Sequence, residues 1–313
     1  MPKYTFLLPA YKGKFLDEML SSIQEQTYND FRVIISDDCS PDPIYDICKP
    51  YLSDPRFSYR RNSNNIGGYS IVHHWNILVD LCDSDYLIIG SDDDLYEPIF
   101  LEEIEKLTNK HREYPLIRAR VTKIDENGEI IISDSLLKEE VCTLEFVAQS
   151  YKNSVIKCIS NYVFKTSVLK SHGGFIDFPL AWFSDTATVI REAEPGCINT
   201  SMPLFKFRMS GINVSSRSSD SSQSFKKISA LALYDTWLNN WLSSISIKSK
   251  RDNALIDFIK TNHADYLNRM INYDIYNCNW ADFKKCCKRL KQNGWLIEHY
   301  YLYYLKWKCW KNK

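Results

Sequence analysis

The chain has 313 residues, of which 44% are apolar and 25% charged, and its 39 basic residues balance 39 acidic ones. That length allows one large or two ordinary domains with a sizeable core, and an aromatic content of 14% excludes a largely disordered chain. Only 10 Gly and 11 Pro exclude a collagen-like sequence, and the lack of a basic excess argues against a nucleic-acid partner.

The first hundred residues alternate strand and helix. Tyr4–Leu8 reads as a buried strand ended by Pro9. Phe15, Leu16, Met19, Leu20 and Ile23 share one helical face. Phe31–Ile35 is a second strand, running into Asp37-Asp38, and Ile44–Leu52 a short helix. Phe57–Arg60 is a third strand, Asn62–Gly68 a polar loop and Tyr69–Cys82 a helix. Tyr86–Ile89 is a fourth strand, stopped by Gly90 and three aspartates, and Pro98–His111 is a helix. Such alternation predicts a parallel sheet covered on both faces, with ligands bound at the carboxyl ends of its strands.

Further on, Arg118–Ile132 reads as a hairpin, Thr143–Tyr151 as a helix, Asn161–Thr166 as a strand and Asp185–Ala193 as a helix. Phe205–Arg208 reads as a last short strand, the Ser- and Asp-rich stretch Ser215–Ser224 as a linker, and Phe225 onward as helical.

Ten cysteines without a C-x-x-C pair, in a chain whose first residues do not read as an export signal, predict reduced thiols and a cytoplasmic location. The sequons at Asn199 and Asn213 then carry no information. From Asn279 onward nine bases face only Asp282 and Glu298, and Tyr and Trp crowd the last twenty residues. This tail suits peripheral contact with a membrane surface, or a helix docked on the catalytic domain with its lysines solvated. The second is favoured, because the aromatics lie on nearly all faces.

Three strand ends carry most of the chemistry: Pro9-Ala10-Tyr11, Asp37-Asp38 and Ser91-Asp92-Asp93-Asp94. Asp92-Asp93-Asp94 sets three carboxylates side by side, a cluster suited to a divalent cation or to a solvated turn before a helix. Asp37-Asp38 can accept a ring N–H from a uracil or a guanine, or cap a turn. Asp185 can serve as a general base or as a helix cap. His73-His74 lie within a helical pattern and read as packing or surface residues. The chain has no P-loop, no G-x-G-x-x-G and no G-x-S-x-G.

Taken in order, Pro9-Ala10-Tyr11, Ser36-Asp37-Asp38-Cys39-Ser40-Pro41-Asp42, Asn65-Ile66-Gly67 and Ser91-Asp92-Asp93-Asp94 resemble the motifs of family 2 glycosyltransferases of GT-A fold. The match covers about 95 residues, with weaker similarity to about residue 215. The resemblance implies an α/β GT-A fold, a Rossmann-like mixed sheet flanked by helices. It implies a catalytic domain over 1–215 (a nucleotide-binding half to about 95, an acceptor half over 96–215) and a helical region over 216–313. It also implies a metal-dependent inverting transfer from a nucleotide-sugar donor, with UDP favoured, to a glycan or lipid-linked glycan in cell-surface polysaccharide assembly.

Carried over by position, Pro9, Ala10, Tyr11, Asn65 and Gly67 border the nucleotide, Asp38 takes the uracil N–H, and Asp92 lies near ribose and diphosphate. Asp93, with Asp92, holds Mn²⁺ or Mg²⁺. Asp185 is the base, and Arg208 and Ser210 belong to a closing loop. The chain departs from the family pattern at Cys39 (usually glycine), Ser91 (usually the first acid) and Ser210 (often histidine). The alternatives are a non-catalytic nucleotide-sugar-binding relative and a sugar-phosphate nucleotidyltransferase. The second lacks its glycine-rich basic signature, for which Tyr11-Lys12-Gly13-Lys14 is too slight.

Overall fold

A computed structural model describes residues 1–152, 155–211, 223–276 and 278–311. The Ser215–Ser224 linker lies outside the described residues for most of its length. The chain forms two compact units, one of residues 1–177 with 188–211, the other of 178–187 with 212–313.

The first unit opens with β1 (Tyr4–Ala10), α1 (Leu16–Gln24), β2 (Phe31–Asp37), α2 (Ile44–Cys48), β3 (Phe57–Arg61), α3 (Ile71–Leu81) and β4 (Tyr86–Ile89). The order β3-β2-β1-β4 is parallel throughout, as the alternation predicts. β1 continues through Pro9 instead of stopping there. The Leu7 carbonyl bonds toward β4 (Gly90 N, 2.9 Å) and the Ala10 carbonyl toward β2 (Asp38 N, 2.9 Å). Pro9 therefore falls where an N–H would point at β4, beyond the last β1–β4 pair, Leu7–Ile89. Its missing donor costs no ladder bond. α2 is shorter than expected and passes into a tight 3₁₀ turn at Lys49–Ser53. α3 starts at Ser70, whose hydroxyl accepts the His73 N–H at 3.1 Å.

The unit continues with β5 (Leu95–Tyr96), α4 (Phe100–Lys110), β6 (Leu116–Ile124), β7 (Ile130–Ser133), β8 (Glu140–Cys142), α5 (Thr143–Ser150), β9 (Tyr162–Lys165) and α6 (Thr166–Ser171). α7 (Ser184–Glu192) crosses from the second unit into the first, and β10 (Gly196–Arg208) ends the first. The sheet is mixed, in the order β3-β2-β1-β4-β9-β6-β10-β5, with β7 and β8 on β6 and β10. The short last strand expected at Phe205–Arg208 is thirteen residues long. It absorbs Pro203 at a register shift against β6. Leu8, Leu16, Met19, Leu20, Ile23, Val33 and Ile35 pack between the sheet and α1, each buried side chain contributing about 1.5–3 kcal/mol of hydrophobic stabilisation.

The second unit holds α8 (Ser224–Ser244), α9 (Lys250–Tyr276), α10 (Trp280–Gln292) and α11 (Glu298–Lys311). The segment 178–187, expected inside the catalytic domain, clusters with these helices. Phe183 explains why: its ring stacks on Tyr234 at 4.7 Å and meets Tyr266 edge-on at 6.0 Å. The aromatic tail docks on its own unit. Tyr300 and Tyr304 of α11 are buried, their hydroxyls bonding Asn268 Oδ1 and the Cys278 carbonyl. Among the described residues no helix is long and apolar enough to cross a membrane.

Candidate functional site

The carboxyl ends of β1, β2 and β4 bring Tyr11, Lys12, Asp38, Asp92 and Asp93 together in the first unit. Parallel pairing makes this unavoidable. Ala10 lies opposite Asp37 and Leu7 opposite Ile89, so the residues after each strand emerge at one edge.

The loop after β1 wraps Asp92. The Tyr11 and Lys12 backbone N–H groups donate to Asp92 Oδ2 at 3.1 and 2.8 Å. The Lys12 ammonium lies 2.9 Å from Asp92 Oδ1 and 3.3 Å from Asp93 Oδ2. Ser210 Oγ donates to Asp93 Oδ2 at 3.2 Å. All three aspartates are at most 7% exposed. Burial raises the pKa of Asp92, opposed by the charge of Lys12. Burial pulls that of Lys12 down, but Asp92 and Asp93 outweigh it and the net shift is upward. Asp94 plays a different part. It accepts from Ser91 Oγ at 2.6 Å and from the Arg208 N–H at 2.9 Å, and burial beside Asp93 pushes its carboxyl up to about 7. Ser91, in place of the family's first acid, therefore supports Asp94.

The two acids after β2 also divide the work. Asp37, fully buried, accepts the Ser40 N–H at 2.9 Å and the Tyr59 hydroxyl at 2.6 Å, and pairs with Arg61. Asp38 holds the loop after β3 instead: Oδ1 accepts Asn62 Nδ2 (2.8 Å) and the Ile66 N–H (2.9 Å), and Oδ2 accepts the Gly67 N–H (2.7 Å). By lone-pair count Oδ2 can take one more donor. Asn65 tightens the same loop by accepting the Gly68 N–H. Cys39 adopts φ +55°, the left-handed conformation that the family's glycine takes without strain.

His74, read from sequence as a packing or surface residue, is buried behind this loop. Its Nε2 lies 2.9 Å from Ser36 Oγ and 3.2 Å from Asn62 Nδ2. Burial lowers its pKa, partly offset by the charge of Asp38, so the ring is neutral near pH 7.

Arg208, expected in a closing loop, is the last residue of β10 and fully buried. Its guanidinium donates to the carbonyls of Asp93 (2.9 Å) and Glu126 (3.0 Å) and to Glu18 Oε2 (2.6 Å), so it braces the turn at Asp93 from within. Asp185 belongs to the second unit. It stands in the first turn of α7, where its Oδ1 accepts the Thr186 N–H at 2.6 Å. Leu180, Ala181 and Phe183, just before it, all carry positive φ, a strained run for residues with side chains. The residues that sequence reasoning missed are Lys12, Asn62 and His74. For Lys12 a signal was present, a lysine two residues after Ala10 in a chain with an acid cluster at an adjacent strand end.

The donors present fit a divalent cation. Asp92 and Asp93 offer hard carboxylate oxygens suited to Mg²⁺ or Mn²⁺, and the position between them already attracts a side-chain cation. Among the described residues no group of three or more protein ligands is gathered. Water or ligand oxygens would have to complete the shell.

Comparison with known proteins gives the class of the chain. The model of the glycosyl transferase family 2 matches residues 5–173, more than half of the chain. The chain belongs to this family. It is 32% identical over 155 residues to an uncharacterized glycosyltransferase of Methanocaldococcus jannaschii, covering 49% of this chain and 47% of that one. It is 26% identical over 196 residues to a PGL/p-HBAD biosynthesis glycosyltransferase of Mycobacterium tuberculosis, covering 61% and 73%. The match thus spans about half the archaeal relative and nearly three quarters of the mycobacterial one. In fold it resembles S. aureus TarS 1–349 in complex with UDP-GlcNAc (TM-score 0.69, 16% identity, 93% of this chain and 80% of that one). It also resembles the mannosyltransferase PcManGT of Pyrobaculum calidifontis in complex with GDP-Man and Mn²⁺ (TM-score 0.55, 13% identity, 99% and 83%). The GT-A expectation holds for the fold.

Proposed function

We propose that this chain transfers a sugar from a nucleotide-sugar donor, with UDP favoured, to a hydroxyl of a glycan or lipid-linked glycan. The reaction is a metal-dependent inverting displacement in the cytoplasm, in cell-surface polysaccharide assembly. The observation that carries this reading is the meeting of Asp92, Asp93 and Lys12 with Asp38 at one edge of the parallel strands, in a chain of this family. Its relatives in fold, with UDP-GlcNAc in one case and GDP-Man and Mn²⁺ in the other, support a nucleotide-sugar donor.

Asp38 accepts the ring N–H of the base through Oδ2, and the Tyr11 loop lies against the nucleotide. Asp92 and Asp93 would hold the divalent cation, aided by Ser210. When bound, that cation supplies Lewis-acid neutralisation of the departing diphosphate. Asp185 takes the proton of the acceptor hydroxyl, which is a weak nucleophile until deprotonated. One base acting on one face gives a single displacement with inversion.

The test is donor turnover by the purified chain with UDP- and GDP-sugars and Mn²⁺. Turnover should vanish on chelation and fall on the order of 10²–10³-fold in Asp93→Asn, the usual worth of a lost electrostatic partner, with an unchanged circular dichroism spectrum. Asp185→Asn should cut the rate on the order of 10²–10⁴-fold while UDP affinity holds. Activity indifferent to both chelation and Asp93→Asn would sink the metal assignment. Tight nucleotide binding without any turnover would favour the non-catalytic relative.

A further inference from the structure

Lys12 occupies the place where a divalent cation is expected. Its ammonium is within 3.3 Å of carboxylate oxygens on both Asp92 and Asp93. Its side chain is only 24% exposed, and those of its partners 8% and 5%. One positive charge thus sits between two buried negative ones. Asp94 does not share it, being held by Ser91 and the Arg208 backbone.

This ion pair differs from the Asp37–Arg61 pair. Arg61 is tied down a second time, donating to the Ser40 carbonyl at 3.0 Å. Lys12 is anchored through its backbone, by its N–H to Asp92 Oδ2, while its ammonium rides on a flexible four-carbon stem. The head group can leave without disturbing the loop. An ammonium and a divalent cation cannot both lie between the same two carboxylates, because like charges in so dry a place repel strongly.

We propose that Lys12 is a displaceable counter-ion that couples metal to donor. Without donor it neutralises Asp92 and Asp93 and weakens metal binding. When a metal-bound nucleoside diphosphate arrives, the cation takes the carboxylates and the Lys12 ammonium turns to the diphosphate oxygens, its new anionic partner. The charges favour this order. Two carboxylates and one ammonium leave the pocket at −1, so a dication alone brings it to +1 with Lys12 unpartnered. The diphosphate restores the balance. Metal and diphosphate must then tighten each other reciprocally. This inference rests on the proposed metal-dependent use of a nucleoside diphosphate.

The test is Mn²⁺ affinity, measured by electron paramagnetic resonance and calorimetry on the full chain, with and without UDP or GDP. Lys12→Met keeps the stem and removes the charge. It should bind Mn²⁺ more tightly than wild type in the absence of nucleotide, by about 5–150-fold, the usual size of a coupling between sites. Nucleotide should tighten Mn²⁺ by a smaller factor in Lys12→Met than in wild type. Lys12→Arg, which keeps the charge, should bind Mn²⁺ as weakly as wild type, and serves as the control should Lys12→Met fold poorly. Equal nucleotide-free affinities in wild type and Lys12→Met, with Mn²⁺ still binding alongside nucleotide, would overturn the competition and leave the metal assignment standing. A nucleotide effect of equal size in the two would overturn the coupling. No Mn²⁺ binding in any of the three proteins, with or without either nucleotide, would overturn the metal assignment and this inference together.

Discussion

Two acidic clusters end the strands that flank β1, and the protein neutralises them in opposite ways. After β2, Asp37 is closed off by Arg61, Tyr59 and the Ser40 N–H, and Asp38 accepts three donors of the loop after β3. After β4, Asp92 and Asp93 share two backbone N–H groups, one serine hydroxyl and one lysine head group. The first cluster is compensated by parts of the fold. The second is compensated largely by a side chain that can be exchanged. Losing one partner of a charge buried and matched by the fold is costly, whereas a charge matched by a movable partner is available for binding.

That contrast can be broken from the β2 side. Asp37→Ala should cost about 2–3 kcal/mol in urea unfolding, from the Tyr59 and Ser40 hydrogen bonds to a charged group. The exposed Arg61 pair is left out of that figure. Mn²⁺ affinity should stay near wild type in this variant, and a stability change under 0.5 kcal/mol would show that the cluster is not structural. Asp38→Ala tests the boundary between the two kinds, because Asp38 holds the loop after β3 and is the residue proposed to take the base. It should weaken UDP binding by about 1.5–3 kcal/mol by calorimetry, and unchanged affinity would assign the base to another residue. The smallest effect should come from Cys39→Gly. Relieving a left-handed residue is worth about 1–2 kcal/mol, reduced by glycine's extra freedom in the unfolded chain to about 0.5–1 kcal/mol net. Thermal unfolding reads it, and a lower melting temperature would mean that the thiol packs better than the backbone is strained.

The segment 1–95 was legible because its strands are short, apolar and punctuated, and because parallel topology sends each motif to one edge. Tyr86–Ile89 was bounded from sequence by Gly90 and the acids that follow. The segment 96–215 was harder. β10 runs through Asn199, Thr200, Ser201 and Pro203, which break any strand pattern. It holds because Thr200 Oγ1 accepts the Arg120 N–H at 2.9 Å and Pro203 falls at a register shift. The grouping of 178–187 with the C-terminal helices depends on Phe183 meeting Tyr234 and Tyr266, contacts more than fifty residues away that no local pattern encodes. In the candidate site, the acids stood out as motifs. Lys12 did not, because a lone lysine in a loop reads as solvated until an adjacent strand end brings two carboxylates to it.

Gly67 gives the β2 cluster an unexpected genetic weight. Its N–H reaches Asp38 Oδ2 at 2.7 Å, and a Cβ built there would lie 2.8 Å from the same oxygen. The loop can close on that carboxylate only while position 67 has no side chain. Any replacement at 67 pushes on Asp38 without changing it, so the two positions form one mutational target. An allele altered at 67 should share the phenotype of one altered at 38, although glycine itself offers no group to a base.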